Sequence, residues 1–196
     1  MTPEPTSSTP RSDGRGIVLI GYRGTGKSTV GRFLADRLGR PFVDADVRIE
    51  SRAGRSISSI FAESGEPAFR DWEERVLAEI TGENPAAVLA TGGGAILRET
   101  NRLRLRTFGF VVWLQASPSE LASRLSANPR GIADRPALTS AGTLDEISEI
   151  LGKRYPLYEA TADVAVDTEG RSPSRVAELI QDIWQNRGAG MDRNRQ

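Results

Sequence analysis

Gly21-Tyr22-Arg23-Gly24-Thr25-Gly26-Lys27-Ser28 is a complete G-x-x-x-x-G-K-[ST] match, and its flanks decide how it is read. Ahead of it stands a short apolar run, Ile17-Val18-Leu19-Ile20; behind it Val30, Phe33, Leu34 and Leu38 fall at helical spacing. Buried strand, glycine-rich turn, then helix is the context in which this pattern holds a phosphate chain. Gly21, Gly24 and Gly26 admit backbone conformations that a side chain would block. Successive N–H groups can therefore converge on phosphate oxygens, with the helix dipole behind them. Lys27 then reaches the β- and γ-phosphates, and the Ser28 hydroxyl ligates Mg²⁺.

A chain of 196 residues suits one domain with a substantial core. Its formal net charge of zero argues against bulk electrostatic binding of nucleic acid or of a membrane surface. The absence of cysteine excludes disulfides and thiolate metal sites. No apolar run approaches the roughly 20 residues that span a bilayer, and the N-terminus lacks the apolar core of a signal peptide, so a soluble cytoplasmic protein is expected. Of the 26 basic residues only Lys27 and Lys153 are lysines, and histidine is absent. A general base must then be a carboxylate, and a cluster that reads an anion must be mostly arginine.

Residues 1 to 15 carry few apolar side chains and read as a disordered tail. After the phosphate-loop helix, Gly39 is a stop signal, and Pro41-Phe42-Val43 is a short second strand running into Asp44-Ala45-Asp46. Carboxylates at the carboxyl end of a strand stand where open α/β sheets bind ligands, although a helix cap with a solvated turn accounts for the same residues. Short helices follow at Val47 to Gly54 and Ile57 to Ala62. Phe69, Trp72, Val76, Leu77 and Ile80 give an amphipathic helix from Pro67. Arg70 and Glu73 can pair near its start, either as a fixed site arginine or as surface decoration.

Ala86 to Ala90 reads as a third, fully buried strand ending in Thr91-Gly92-Gly93-Gly94, a close-approach loop or a loose turn. A basic helix from Arg98 to Arg106 precedes a fourth strand, Phe110 to Leu114, and another helix runs from Pro118 to Ser126. The stretch from Asn128 to Ser140, with Arg130 and Arg135 and little periodicity, reads as a functional lid. Thr143-x-x-Glu146 is a capping box for a helix whose apolar stripe includes Ile147, Ile150, Leu151 and Tyr158. Arg154 falls on that stripe, so it needs an anionic ligand or an internal carboxylate. Val164 to Val166 forms a fifth strand, Val176 to Trp184 a closing amphipathic helix, and residues 187–196 a polar tail. Five strands alternating with helices, without internal repeat, predict one parallel α/β domain over residues 16–186.

The order of these pieces resembles the shikimate kinase family over nearly all of residues 16–185. The segments that carry the resemblance are GYRGTGKSTVGR, FVDAD followed by IE, IFAESGEPAFRDWE, LATGGGAI, ADRPAL and KRYPLYEATADVAVDT. The resemblance implies a three-layer P-loop kinase fold like that of nucleoside monophosphate kinases, with a five-stranded parallel sheet and a lid near 128–140. It implies ATP- and Mg²⁺-dependent phosphorylation of the 3-hydroxyl of shikimate, in aromatic amino acid biosynthesis. It also implies roles position by position. Gly24, Thr25, Gly26, Lys27, Ser28 and Thr29 bind nucleotide phosphates; Ser28 and Asp44 hold Mg²⁺. Asp46 orients or deprotonates the acceptor hydroxyl, and Arg70 and Arg154 grip its carboxylate. Gly92, Gly93 and Gly94 give backbone contacts, Phe61 and Phe69 line the pocket, Arg135 reaches the transferring phosphate, and Arg130 and Arg171 lie around adenine. The substrates are small molecules and the protein is expected as a monomer. Two rivals stay open: a gluconate-type carbohydrate kinase, and a catalytically silent nucleotide-binding regulatory module.

Overall fold

β1 (Gly16–Ile20) is buried at every position, as a central parallel strand must be when both faces of its sheet are covered. In this computed structural model, which describes residues 15–127 and 143–191, it lies in a sheet of five parallel strands. The others are β2 (Phe42–Asp44), β3 (Val88–Ala90), β4 (Gly109–Gln115) and β5 (Val164–Asp167), in the spatial order β2-β3-β1-β4-β5. β1 is in register with β3 (Leu19 opposite Ala90) and with β4 (Ile20 opposite Trp113), which aligns their carboxyl ends along one edge.

Alternation along β1 builds two cores. Ile17 and Leu19 pack with Val30, Leu34, Phe110, Val112, Val176 and Ile180. Val18 and Ile20 pack on the opposite face with Ile49, Phe69, Leu77, Leu105 and Tyr158. One face is thus covered by α1 (Lys27–Leu38) and α7 (Pro173–Met191). The other carries α2 (Ala45–Ala53), α3 (Ile57–Glu83), α4 (Glu99–Phe108) and α6 (Thr143–Thr161), while α5 (Pro118–Ala127) packs on α6. The result is the expected three-layer α/β architecture.

The helices expected at 57–62 and from Pro67 form one run with a break at Gly65, whose φ of 77° and ψ of 174° suit glycine alone. Pro67 tolerates the position because it opens the second segment, where its missing N–H has no partner to lose. The closing helix continues to Met191, past the expected end near Arg187, since no proline stops it. The proposed lid at 128–140 lies outside the described residues, as do residues 1–14 and 192–196.

At the amino ends of β1 and β4, Gly16 opposes Gly109, and a Cβ at Gly109 would overlap the Gly16 carbonyl oxygen. Gly109→Ala is therefore expected to cost about 1–3 kcal/mol through displacement of two central strands. Urea denaturation checks it; a variant as stable as wild type would mean the strands part without penalty.

Candidate active site

The phosphate loop leaves β1 and ends as the amino terminus of α1. Gly21, Gly24 and Gly26 have φ of 140°, 82° and 89°, so the turn depends on residues without a Cβ. Thr25 closes it by donating from Oγ1 to the Tyr22 carbonyl at 2.8 Å. Lys27 is buried, and its ammonium donates to the Gly21 and Tyr22 carbonyls, each at 2.8 Å, so its charge is held against its own loop.

At the end of β2, Asp44 is the helix cap that its sequence position allowed, and its second carboxylate oxygen faces the phosphate loop. Oδ1 caps α2, accepting from the Asp46 N–H at 3.0 Å, while Oδ2 accepts from the Ser28 hydroxyl at 2.6 Å. Hydroxyl and carboxylate oxygens thus stand side by side beside the loop. Two hard oxygen donors suit Mg²⁺, which takes few protein ligands and completes its shell with phosphates and water. Among the described residues no group of three or more carboxylates is placed to hold a metal ion.

A cleft of about 510 Å³ lies over this corner, lined by Gly24, Gly26, Lys27, Ser28, Thr29, Asp44, Asp46 and Gly93 among others. It adjoins a much smaller pocket walled by Tyr22, Arg23, Phe61, Arg70, Gly93, Gly94 and Arg154, and the two share Arg23 and Gly93. The small pocket offers about 20 Å³, room for one group the size of water or a carboxylate oxygen pair rather than for a ring. Asp46, Arg70 and Arg154 therefore converge on contiguous space.

The two pocket arginines differ in their support. Arg70 donates from Nη1 to Glu73 at 2.7 Å, and from Nε and Nη2 to Glu66 at 3.1 and 2.8 Å. Burial opposes its charge, but Glu73 and Glu66 outweigh burial and hold its pKa above the ordinary arginine value. Arg154, equally buried, forms no salt bridge among the described residues; Nη1 donates to the Gly93 carbonyl at 3.1 Å. The internal ion pair that its inward position allowed is thus not formed there. Tyr158, one turn on, donates to the same carbonyl at 2.6 Å. A Cβ at Gly94 would overlap the Arg70 guanidinium, which explains glycine at that position.

Gly92 lines neither cavity; its carbonyl accepts from Ala95 N–H at 3.1 Å and shapes the turn. Phe61 forms a wall, whereas Phe69 is fully buried behind it, 4.7 Å away between ring centroids, under the Arg70 guanidinium. Arg171 lines a separate pocket on the far side of the loop with Gly24, Thr25, Gly26, Thr29 and Thr168. Arg130 and Arg135 lie outside the described residues. Sequence reasoning missed Arg124 of α5, which bridges the Gly24 carbonyl at 3.3 Å and Thr168 at 3.0 Å and lines both nucleotide-side cavities. It gave Arg23 only the phosphate-binding part shared by the whole loop from Gly21 to Ser28, and Tyr158 only a place on the apolar stripe. For none of the three does the sequence carry a local signal, because each contact depends on a distant backbone.

Phosphate loop, paired oxygen donors and an arginine pocket define a P-loop kinase whose acceptor carries an anionic group. The sequence profile of the family described as "Shikimate kinase" matches residues 23–185. A shikimate kinase from Symbiobacterium thermophilum is 45% identical, covering 88% of this chain and 97% of that protein. One from Paracidovorax citrulli is 48% identical, covering 85% and 88%. The structure of shikimate kinase from Acinetobacter baumannii in complex with shikimate superposes with a TM-score of 0.80 at 37% identity, covering 86% of this chain and 92% of that one. The chain belongs to the shikimate kinase family.

Burial pushes the Tyr158 phenol up to about 12. An unfolded tyrosine ionises near pH 10, so above that pH the unfolded state loses this proton first and stability falls as pH rises toward the folded value. Between about pH 9 and pH 11, wild type is expected to lose about 1–1.5 kcal/mol more stability than Tyr158→Phe. Denaturant titrations at the two pH values decide it; parallel losses would mean the phenol ionises freely in the fold.

Proposed function

We propose that this chain transfers the γ-phosphoryl group of ATP to the 3-hydroxyl of shikimate, giving shikimate 3-phosphate and ADP. The observation that carries this reading is the carboxylate-sized arginine pocket beside the phosphate-loop cleft, with Arg23 and Gly93 lining both. Shikimate, a ring acid, would set its carboxylate between Arg70 and Arg154 and leave its ring and hydroxyls in the larger space toward Asp46. Arginine suits both positions because a planar guanidinium meets a carboxylate with two hydrogen bonds.

In this reading the acceptor oxygen forms the new bond to Pγ as the bond from Pγ to the ADP oxygen breaks. Asp46, the carboxylate assigned to the acceptor hydroxyl, orients it and takes up its proton. Lys27 leaves its loop carbonyls for the phosphates, exchanging neutral acceptors for charged ones. Ser28 and Asp44 would hold Mg²⁺, which supplies neutralisation of phosphate charge when bound. Arg124 and Arg171 flank the nucleotide on the side away from the acceptor, and Arg135 is assigned to the transferring phosphate on the resemblance alone. No helix among the described residues is long and apolar enough to cross a membrane; with the cysteine-free sequence, this supports a cytoplasmic enzyme, which we take to act as a monomer.

A coupled assay of the purified protein should show ADP release with shikimate and none with gluconate. Turnover with gluconate alone would establish the carbohydrate-kinase rival, and shikimate binding without turnover the regulatory one. Arg154→Lys keeps the charge but loses the fork, so KM for shikimate should rise roughly 10–100-fold while KM for ATP stays within about 3-fold. Equal rises in both would remove Arg154 from the acceptor pocket.

A further inference from the structure

Arg23 occupies one of the unconstrained positions of the phosphate-loop motif, yet it lines both the phosphate cleft and the arginine pocket. It is the only side chain to do so among the described residues, since the other shared residue is Gly93. Its surroundings leave the charge poorly matched. Nη2 stands 3.9 Å from a Glu146 carboxylate oxygen, at the outer limit of an ion pair, and the buried Nε has no hydrogen-bond partner among the described residues. The guanidinium also stands 5.8 Å from the centroid of the Tyr22 ring. Its main chain is fixed from the other side, because a Cβ on Gly93 would come within 3.3 Å of the Arg23 nitrogen. A planar cation with an unsatisfied buried donor is thus anchored at the seam of the two cavities.

Charge moves across that seam during the reaction. Before transfer the phosphoryl group belongs to the nucleotide, beside Lys27 and Ser28; afterwards it is a phosphate ester on the acceptor, next to a carboxylate already paired with Arg70 and Arg154. The phosphorylated acceptor therefore carries an anion that the free acceptor lacks, at the edge facing the phosphate loop. We propose that Arg23 is a further catalytic residue, one that engages the phosphoryl group in transit and then the phosphate of the bound product. It discriminates product from substrate, because the uncharged hydroxyl offers its guanidinium no anion. This proposal rests on the acceptor identity given above.

The test is calorimetric titration of wild type and Arg23→Gln with shikimate alone and with shikimate 3-phosphate in the presence of ADP, together with kcat and the melting temperature. Loss of one charged hydrogen-bonded contact should weaken product binding roughly 10–100-fold and lower kcat at least about 10-fold, with shikimate affinity within about 3-fold of wild type. Should Arg23→Gln fail to fold, Arg23→Met keeps the aliphatic stem near the Tyr22 ring and should give the same split. Equal weakening toward both ligands would make Arg23 part of the carboxylate grip and overturn the proposal. Unchanged affinities with a lowered melting temperature would make it a structural tie to Glu146 and overturn it equally. A wild type that binds neither ligand would instead refute the acceptor assignment itself.

Discussion

The Gly93 carbonyl accepts two hydrogen bonds from a single helix, from Arg154 at 3.1 Å and from Tyr158 at 2.6 Å, and the same residue packs against the backbone of Gly21 to Arg23. Main chain therefore fixes the glycine loop after β3 against the phosphate loop after β1, without an intervening flexible side chain. Register does the rest: with Leu19 opposite Ala90 in adjacent parallel strands, both loops leave the sheet at one level. Phosphoryl transfer requires little covalent help from a protein and much positioning, so a displacement of about 1 Å between donor and acceptor loops is costly. Gly93 is where that displacement is prevented.

The same contact gives the two pocket arginines different physical characters. Arg70 comes with its neutralising carboxylates on α3, so its guanidinium is a fixed surface whose orientation does not depend on ligand. Arg154 has the Gly93 carbonyl and the Tyr158 hydroxyl but no carboxylate partner among the described residues, and a buried guanidinium so supported is less fully neutralised than Arg70. An anionic ligand completes Arg154 without stripping partners from Arg70. Recognition can then draw on relief of an existing imbalance, which a neutral sugar hydroxyl could not provide.

The fold was legible because its signals are local. Fully apolar strands, the Gly39 stop and the capping residues each lie within a few positions of the element they specify, and the strand count followed from them. The placement of candidate residues was legible where residue type and chain position coincide, since Lys27, Ser28 and Arg70 do line the two cavities. Asp44 shows how one residue can cap a helix and still face the phosphate loop, since each carboxylate oxygen has a separate partner. What stayed hidden was tertiary. Tyr158 sits on an apolar stripe, and only the Gly93 carbonyl, 65 residues earlier, reveals a polar use for its hydroxyl. Arg124 is an ordinary helical arginine until Gly24 and Thr168 are brought to it from two other loops. The two helices read on either side of residues 63–66 are indeed separate, since Gly65 is non-helical and kinks the chain between them.

Aromatic packing explains why α6 can serve as the rigid wall. Trp113, at the end of β4, stacks on Tyr158 with ring centroids 5.4 Å apart and an interplanar angle of 17°, and Tyr155 meets Trp113 edge-on at 4.8 Å. Arg154 lies one turn before Tyr158, so the residue that completes the pocket is carried by the part of the helix bound to the sheet. Further toward its amino end α6 instead packs through Ile147 and Ile150 onto Tyr22, Leu121 and Leu125. The helix thus touches the central sheet at one end and the phosphate loop and α5 at the other. A displacement of α6 would be resisted most near Arg154, where the indole and phenol rings bind the helix to the sheet. Main chain at Gly93 and the aromatic rings at Trp113 thus hold Arg154 and the phosphate loop in one fixed relation.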